Sequence, residues 1–294
     1  MRVLNFGSLN LDYVYAVDHF VQPGETIASR SRTVKCGGKG LNQSIALARA
    51  GAAVLHAGCI GSGGELLREM LIRNGVDVTA LKTTGEMQGH TVIQVNPEGE
   101  NSIILFGGSN LCVTEKQVDD ALNIMSEGDW LVLQNEINLL PYIVHQANKK
   151  GMRIALNPSP FNDQIKKVDL NQLSWLLVNE VEAEQMTGSA DPDTAWKKLH
   201  TDYPALSVLI TLGRKGSVAW MQEMDQTTAI RQEAISVRAV DTTAAGDTFT
   251  GYFIAGLMNH MPLEKCMERA AKAAAISVTR PGAADSIPQA DEID

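Results

Sequence analysis

The chain has 294 residues, 44% of them hydrophobic, and a formal net charge of -9. That hydrophobic share suits a sizeable globular core, and the acidic balance lacks the Lys/Arg footprint that nucleic-acid binding requires. No apolar run approaches the roughly 20 residues of a membrane span, and Met1–Gly7 has neither the basic start nor the long apolar stretch of a secretion signal. Cys36, Cys59, Cys112 and Cys266 are scattered without metal-site spacing. A cytoplasmic protein with free thiols is expected, with no nucleic-acid or membrane partner.

Short β-branched runs alternate with helical patterns. Val3–Leu9 reads as a strand and Gly40–Ala50 as a helix stopped by Gly51. Ala53–Ala57 (strand) and Glu65–Asn74 (helix) follow. Thr114-Glu-Lys-Gln117 is a capping-box pattern that opens a helix to about Met125. Then come Trp130–Leu133 (strand), Leu139–Lys150 (helix), Arg153–Asn157 and Ser174–Val178 (strands), Thr194–His200 (helix) and Val208–Thr211 (strand). Two Ala-rich helices, near Gly246–Asn259 and Leu263–Thr279, finish the chain. Such alternation predicts a mostly parallel sheet with helices on both faces. Two stretches break it: Asp12–Val34 is strand-like, and His90–Phe106 reads as a hairpin around Pro97-Glu-Gly-Glu100. Both are expected outside the main sheet, as decoration or as a lid over the strand C-termini.

The strongest chemical signal is Asp241-Thr-Thr-Ala-Ala-Gly246-Asp247-Thr-Phe, set between an extended run, Ile235–Val240, and a helix apolar enough to be buried. Ala245 and Gly246 let a ligand approach the backbone closely. Gly246 and Asp247 fall in a first helical turn, where unpaired N–H groups and the dipole attract an anion. An isolated Asp here is equally an N-cap, but the two small residues before it and the second acid, Asp241, favour a phosphate site. A second cluster, Cys36-Gly-Gly-Lys39-Gly-Leu-Asn42-Gln43, opens a helix with Lys39 and Asn42 on one side of its first turn, suited to a hydroxyl-rich ligand. No Ser or Thr follows the Lys, so this is not a Walker A loop, and no complete dinucleotide fingerprint occurs. Gly61-Ser-Gly-Gly64 reads as a turn. Asn10 and Asp12, two apart, point to one side at the end of the first strand, and Glu136 occupies the matching place after Leu133. Alone, each is also an ordinary polar turn residue.

The segments Gly37–Gly51 and Asp241–Phe249 resemble the two signatures of the ribokinase (phosphofructokinase-B) carbohydrate kinases. The likeness continues in order through Gly7-Ser-Leu-Asn10-Leu-Asp12, Pro23-Gly-Glu-Thr26, Gln134-Asn-Glu136, Asn157-Pro158, Asn179-Glu-Val-Glu182, Thr211–Gly216 and Thr279–Ala283. It implies a ribokinase-like three-layer α/β sandwich with a mostly parallel central sheet. It also implies one domain over residues 1–294, with a small β-sheet lid from about 12–36 and 88–107. The implied reaction is ATP-dependent phosphorylation of a free sugar hydroxyl, with Mg2+ and an activating K+. D-ribose is the favoured acceptor; deoxyribose, a fructose-type ketose, pseudouridine and adenosine are the alternatives. Outside that reading stand an inactive sugar-binding regulator and a nucleotide-linked oxidoreductase.

By the same resemblance Asp247 is the base and the Ala245 and Gly246 amides form an anion hole. Asn10, Asp12, Gly38, Lys39, Asn42 and Glu136 line the sugar site. Asn179 and Glu182 organise magnesium and phosphate, with Glu182 acting indirectly, and Thr211, Gly213, Arg214, Lys215 and Gly216 follow the nucleotide. Asp241, Thr243, Ser277, Arg280, Gly282 and Ser286 form the monovalent-cation site. Pairing of lids into a homodimer is expected. The chain departs from the family pattern at Ser62-Gly-Gly64, where an acid is usual, and at Ala271, where a polar side chain often lies by the adenine.

Overall fold

The computed structural model describes residues 1–224 and 226–293; residue 294, the end of the expected domain, lies outside them. The strands are β1 (Val3–Phe6), β2 (Asn10–Ala16), β3 (Ser31–Gly37), β4 (Val54–Ser62), β5 (Leu81–Met87), β6 (His90–Val95), β7 (Asn101–Phe106), β8 (Trp130–Gln134), β9 (Arg153–Asn157), β10 (Trp175–Asn179), β11 (Ser207–Thr211), β12 (Ser217–Glu223) and β13 (Gln226–Gln232). The helices are α1 (Lys39–Arg49), α2 (Glu65–Arg73), α3 (Glu115–Asn123), α4 (Leu140–Lys149), α5 (Glu180–Thr187), α6 (Pro192–Asp202), α7 (Ala245–Met258) and α8 (Leu263–Ser277).

Nine strands form the large sheet in the order β13-β12-β11-β10-β9-β8-β1-β4-β5, parallel except for the β12 and β13 edge. Its central strands are mostly apolar on both faces, as buried parallel strands must be, whereas the edge strands β5 and β13 are largely polar and exposed. In β8, Trp130 and Val132 pack under α1, α7 and α8, while Leu131 and Leu133 enter the opposite layer with α3, α4 and α6. The three-layer α/β expectation therefore holds. A second, four-stranded sheet runs β3-β2-β6-β7. No helix among the described residues is long and apolar enough to cross a membrane.

Several local expectations are corrected. The first strand ends at Phe6, and Asn10 and Asp12 belong to β2 in the small sheet rather than to the end of β1. Residues 233–240 form no strand, so the extended run before Asp241 is irregular backbone. The β5 strand, the β12–β13 hairpin and α5 were not foreseen, although Asn179-x-x-Glu182 is a complete capping box that announces α5. At Thr114 only half the predicted box forms. Its hydroxyl accepts from Gln117 N, whereas the Gln117 amide turns inward to the Gly58 carbonyl.

Helix α7 is buried nearly all round, between α1 and α8. Its approach to α1 depends on Gly251, where an added Cβ would lie 2.4 Å from Ala46 Cβ and 2.8 Å from Leu47 N. The obstruction includes main chain, which cannot rotate aside. Gly251→Ala is expected to cost about 1–3 kcal/mol by overpacking, read from urea denaturation; an unchanged midpoint would show that the crossing has slack.

Candidate active site

Asp247 lies in the first turn of α7 and is buried, only 6% exposed. The chain enters through Ala244, whose positive φ of 60° is a left-handed turn that a non-glycine residue adopts at a cost. Beyond it Ala245 N reaches the Thr242 carbonyl at 3.3 Å, a weak bond. No described residue accepts from Gly246 N, and a Cβ placed on Gly246 would meet nothing within 4 Å. A free N–H and open space thus adjoin the carboxylate.

Helix α1 supplies the partners of that carboxylate. Asn42 Nδ2 donates to Asp247 Oδ2 at 3.0 Å, and Gln43 Nε2 donates to Oδ1 at 2.9 Å. Lys39 Nζ stands 4.0 Å from Oδ1. Burial works against the Lys39 charge, but Asp247, Glu136 and Glu182 outweigh it and hold the ammonium above its ordinary range. Glu136 accepts from Ser8 Oγ and from Lys39 N (3.0 Å). Its own burial pushes it up, against the opposing pull of Lys39. Asn42 Oδ1 is buried without a partner, an acceptor aimed at nothing in the protein.

The small sheet brings Asn10 and Asp12 to the same region. Asp12 Oδ1 accepts from Thr91 Oγ1 at 2.6 Å across the β2–β6 pair. The carboxylate lies over Gly37, where a Cβ would be 1.9 Å from Oδ2; this is why the glycine cluster starts where it does. Asn110 clamps the β1–β2 turn, accepting from Leu9 N and donating to Asn10 Oδ1 at 2.7 Å. Sequence reasoning missed Gln43, Thr91 and Asn110. Gln43 directly followed a residue already singled out. Nothing local marks the other two: Thr91 meets Asp12 through the β2–β6 register, and Asn110 reaches the β1–β2 turn from the 3₁₀ turn Gly108–Leu111.

Asn179 and Thr211 end adjacent strands β10 and β11 and pair in register. Asn179 N donates to Glu182 Oε2 (3.0 Å) while Glu182 N donates back to Asn179 Oδ1 (2.8 Å). Gly213–Lys215 form an exposed 3₁₀ turn, closed at Gly216. Asp241 ties two loops together: Oδ1 accepts from Thr243 N and Oγ1, and Oδ2 from Gly282 N. Ser277 and Ser286 lie buried nearby in sequence to those loops, whereas the Arg280 side chain turns away to Glu292. The Ser62-Gly-Gly64 turn packs on Gln88, whose Oε1 accepts from Gly61 N and would touch a Gly64 Cβ at 2.1 Å, which supports its reading as a structural turn.

Residues 2–290 match the model of the pfkB family carbohydrate kinases. The chain belongs to this family. It is 36% identical to the ribokinase of Haemophilus influenzae, over 97% of this chain and 95% of that protein. The crystal structure of ribokinase from Cryptococcus neoformans in complex with ADP superposes with a TM-score of 0.85 at 33% identity, covering 99% of this chain and 98% of the other. The structure of Arabidopsis thaliana ribokinase complexed with ribose and ATP also gives 0.85, at 27% identity, covering 99% and 97%. The chain is thus an ATP-dependent carbohydrate kinase.

In this pfkB-family kinase the Asp12 carboxyl is pushed up to about 6, chiefly by burial and partly by Glu136, against the Thr91 hydroxyl and Lys35. The folded state holds that proton more tightly than the unfolded chain, whose ordinary value is 3.8. The stability contribution is therefore full below about 4 and is lost as pH rises through about 6. Asp12→Asn cannot ionise, so its melting temperature should exceed the parent's at pH 8 and differ much less at pH 4. A variant less stable than the parent at pH 8 would refute this sign.

Proposed function

We propose that the protein phosphorylates the 5-hydroxyl of D-ribose with ATP as donor, using Asp247 as base. The observation that carries this reading is the buried Asp247 carboxylate, held between two amides of α1 beside the free Gly246 N–H. Asn10, Asp12, Lys39, Asn42 and Glu136 offer the hydroxyl-binding surface, Gly38 gives a bare approach among them, and the vacant lone pairs of Asn42 Oδ1 suit a sugar O–H. The named activity of the relatives agrees with it.

In the step itself, the acceptor oxygen forms a bond to the γ-phosphorus while the bond from that phosphorus to the β,γ-bridging oxygen breaks. ADP leaves, and the hydroxyl proton passes to Asp247. The transition state is loose, so positioning and charge stabilisation dominate. The amides of Gly246 and Ala245, the latter freed from its weak bond to Thr242, would face the transferring group. Each such donor is worth about 3–4 kcal/mol in a dry site. Thr211, Gly213, Arg214, Lys215 and Gly216, at and just beyond the end of β11, would follow the nucleotide with Asn179. Magnesium would neutralise phosphate charge. Among the described residues no cluster of three or more His, Cys, Asp or Glu is arranged to hold a metal, so the ion fits as a companion of the triphosphate, with Glu182 acting through water.

The Asp241 loop suits a monovalent cation such as K+, bound by that carboxylate and by main-chain oxygens of Thr243, Ser277, Arg280, Gly282 and Ser286. The small sheet would close over the sugar as a lid on a single domain. Its edge strand β7 exposes Ile103, Ile104, Leu105 and Phe106, an apolar edge that pairing with a second lid would cover. A cytoplasmic setting supplies ATP and keeps the four thiols reduced.

An ADP-release assay over ribose, deoxyribose, fructose, pseudouridine and adenosine should give ribose the largest kcat/KM. Asp247→Asn should cut turnover at least about 10²-fold with sugar affinity little changed. A nucleoside as best acceptor would replace the ribose reading, and sugar binding without ADP release would make the protein a regulator. In the same assay, exchanging potassium for a bulky organic cation should lower activity, and sedimentation should report a dimer that Ile104→Lys dissociates. Indifference to the cation, or a monomeric parent, would remove the corresponding feature.

A further inference from the structure

Asp247 is held by a neighbour with its own fixed support. Gln43 is fully buried, and so are the residues behind it. Gln134 Nε2, at the end of β8, donates to Gln43 Oε1 at 2.7 Å and to Asn5 Oδ1 at 2.9 Å. Asn5, on β1, in turn donates to the Gly40 carbonyl and to Ser44 Oγ, both at 2.7 Å. Ser44 Oγ meets His56 Nδ1 at 2.8 Å. Burial pushes that imidazole down to about 3, so it stays neutral and adds no competing charge.

Direction is transmitted through this series. A primary amide has one accepting end and one donating end. With both Asn5 donors committed to Gly40 and Ser44, its Oδ1 must face Gln134. Gln134 must then present its NH2 to both Asn5 and Gln43, so the Gln43 Oε1 is taken and only its Nε2 can face Asp247. Gln134 Oε1 is left without a partner against Gly7, where a Cβ would lie 2.3 Å away. An orphaned buried acceptor costs free energy.

We propose that Gln43 is a positioning residue for the phosphoryl transfer: its amide, locked in one orientation by Gln134 and Asn5, pins Oδ1 of Asp247 so that Oδ2 is the oxygen offered to the acceptor hydroxyl. The assignment rests on Asp247 being the base. When substrate enters, Asn42 exchanges its bond on Oδ2 for contacts to the sugar, while Gln43 cannot follow because it lies wholly inside the protein. The carboxylate plane is thereby fixed through the reaction.

The test compares Gln43→Met, Gln43→Glu and Gln134→Met with the parent and with Asp247→Asn, scaled to folded protein by calorimetry. Gln134→Met leaves every direct contact of Asp247 in place but frees the Gln43 amide to turn over. Misaiming a reacting group can cost up to about 10²-fold. Gln43→Met and Gln134→Met should each lose about tenfold or more in kcat, with sugar and ATP KM within about threefold of the parent. Gln43→Glu puts a second carboxylate beside the first, and the coupled pair should add an ionisation to the kcat–pH profile that packing damage alone does not add. If Gln43→Glu fails to fold, the two Met variants, both of near-native volume, decide the matter. Unchanged kcat in a folded Met variant overturns the proposal, as does a uniform rise in KM. An inactive parent, or an Asp247→Asn variant that keeps its turnover, strikes at the base assignment instead.

Discussion

A buried carboxylate has to be compensated within the protein, and that requirement organises this molecule. Asp247 is largely withdrawn from solvent, only 6% exposed at the edge of an open cleft, so an uncompensated charge there would be costly. It is met by one amide on each oxygen, the dipole of its own helix and an ammonium at 4.0 Å. Three of these groups come from the first five residues of α1, so two helices distant in sequence must stay in register. Small residues at the crossing allow this: Gly251 of α7 lies against the Ala46–Leu47 backbone.

Both helices begin at the C-terminal edge of the large sheet, the end at which ligands bind in open α/β structures. The β1–β2 turn carries the chain out of that sheet and into the small one, and Asn110 fastens the turn. Asn10 and Asp12 are therefore presented from a second layer, facing Lys39 and Glu136 of the first. The residues proposed to bind the sugar thus come from two sheets, whereas the proposed base and its amide partners all belong to the helices of the large-sheet layer.

Asp12 illustrates a conflict between stability and use. Its raised carboxyl shows that ionisation at neutral pH is opposed by burial. Strain of this kind is characteristic of sites that await a partner.

The residue pattern by itself determined the α/β class, most helix limits, the glycine-rich openings of α1 and α7 and the nomination of Asp247, because periodicity and helix-start chemistry are local. The Asn179 capping box was equally legible but was read only as chemistry, so α5 went unmarked. The antiparallel β12–β13 edge and the transfer of Asn10 to the small sheet depended on which strands pair, and no local signal carries that. Tertiary structure alone decided that Gln43, Gln134 and Asn5, residues 5, 43 and 134 in the chain, form one buried series behind Asp247. Hydrogen bonds between distant residues depend on register and on the approach of packed helices, and neither is written in the spacing of the sequence.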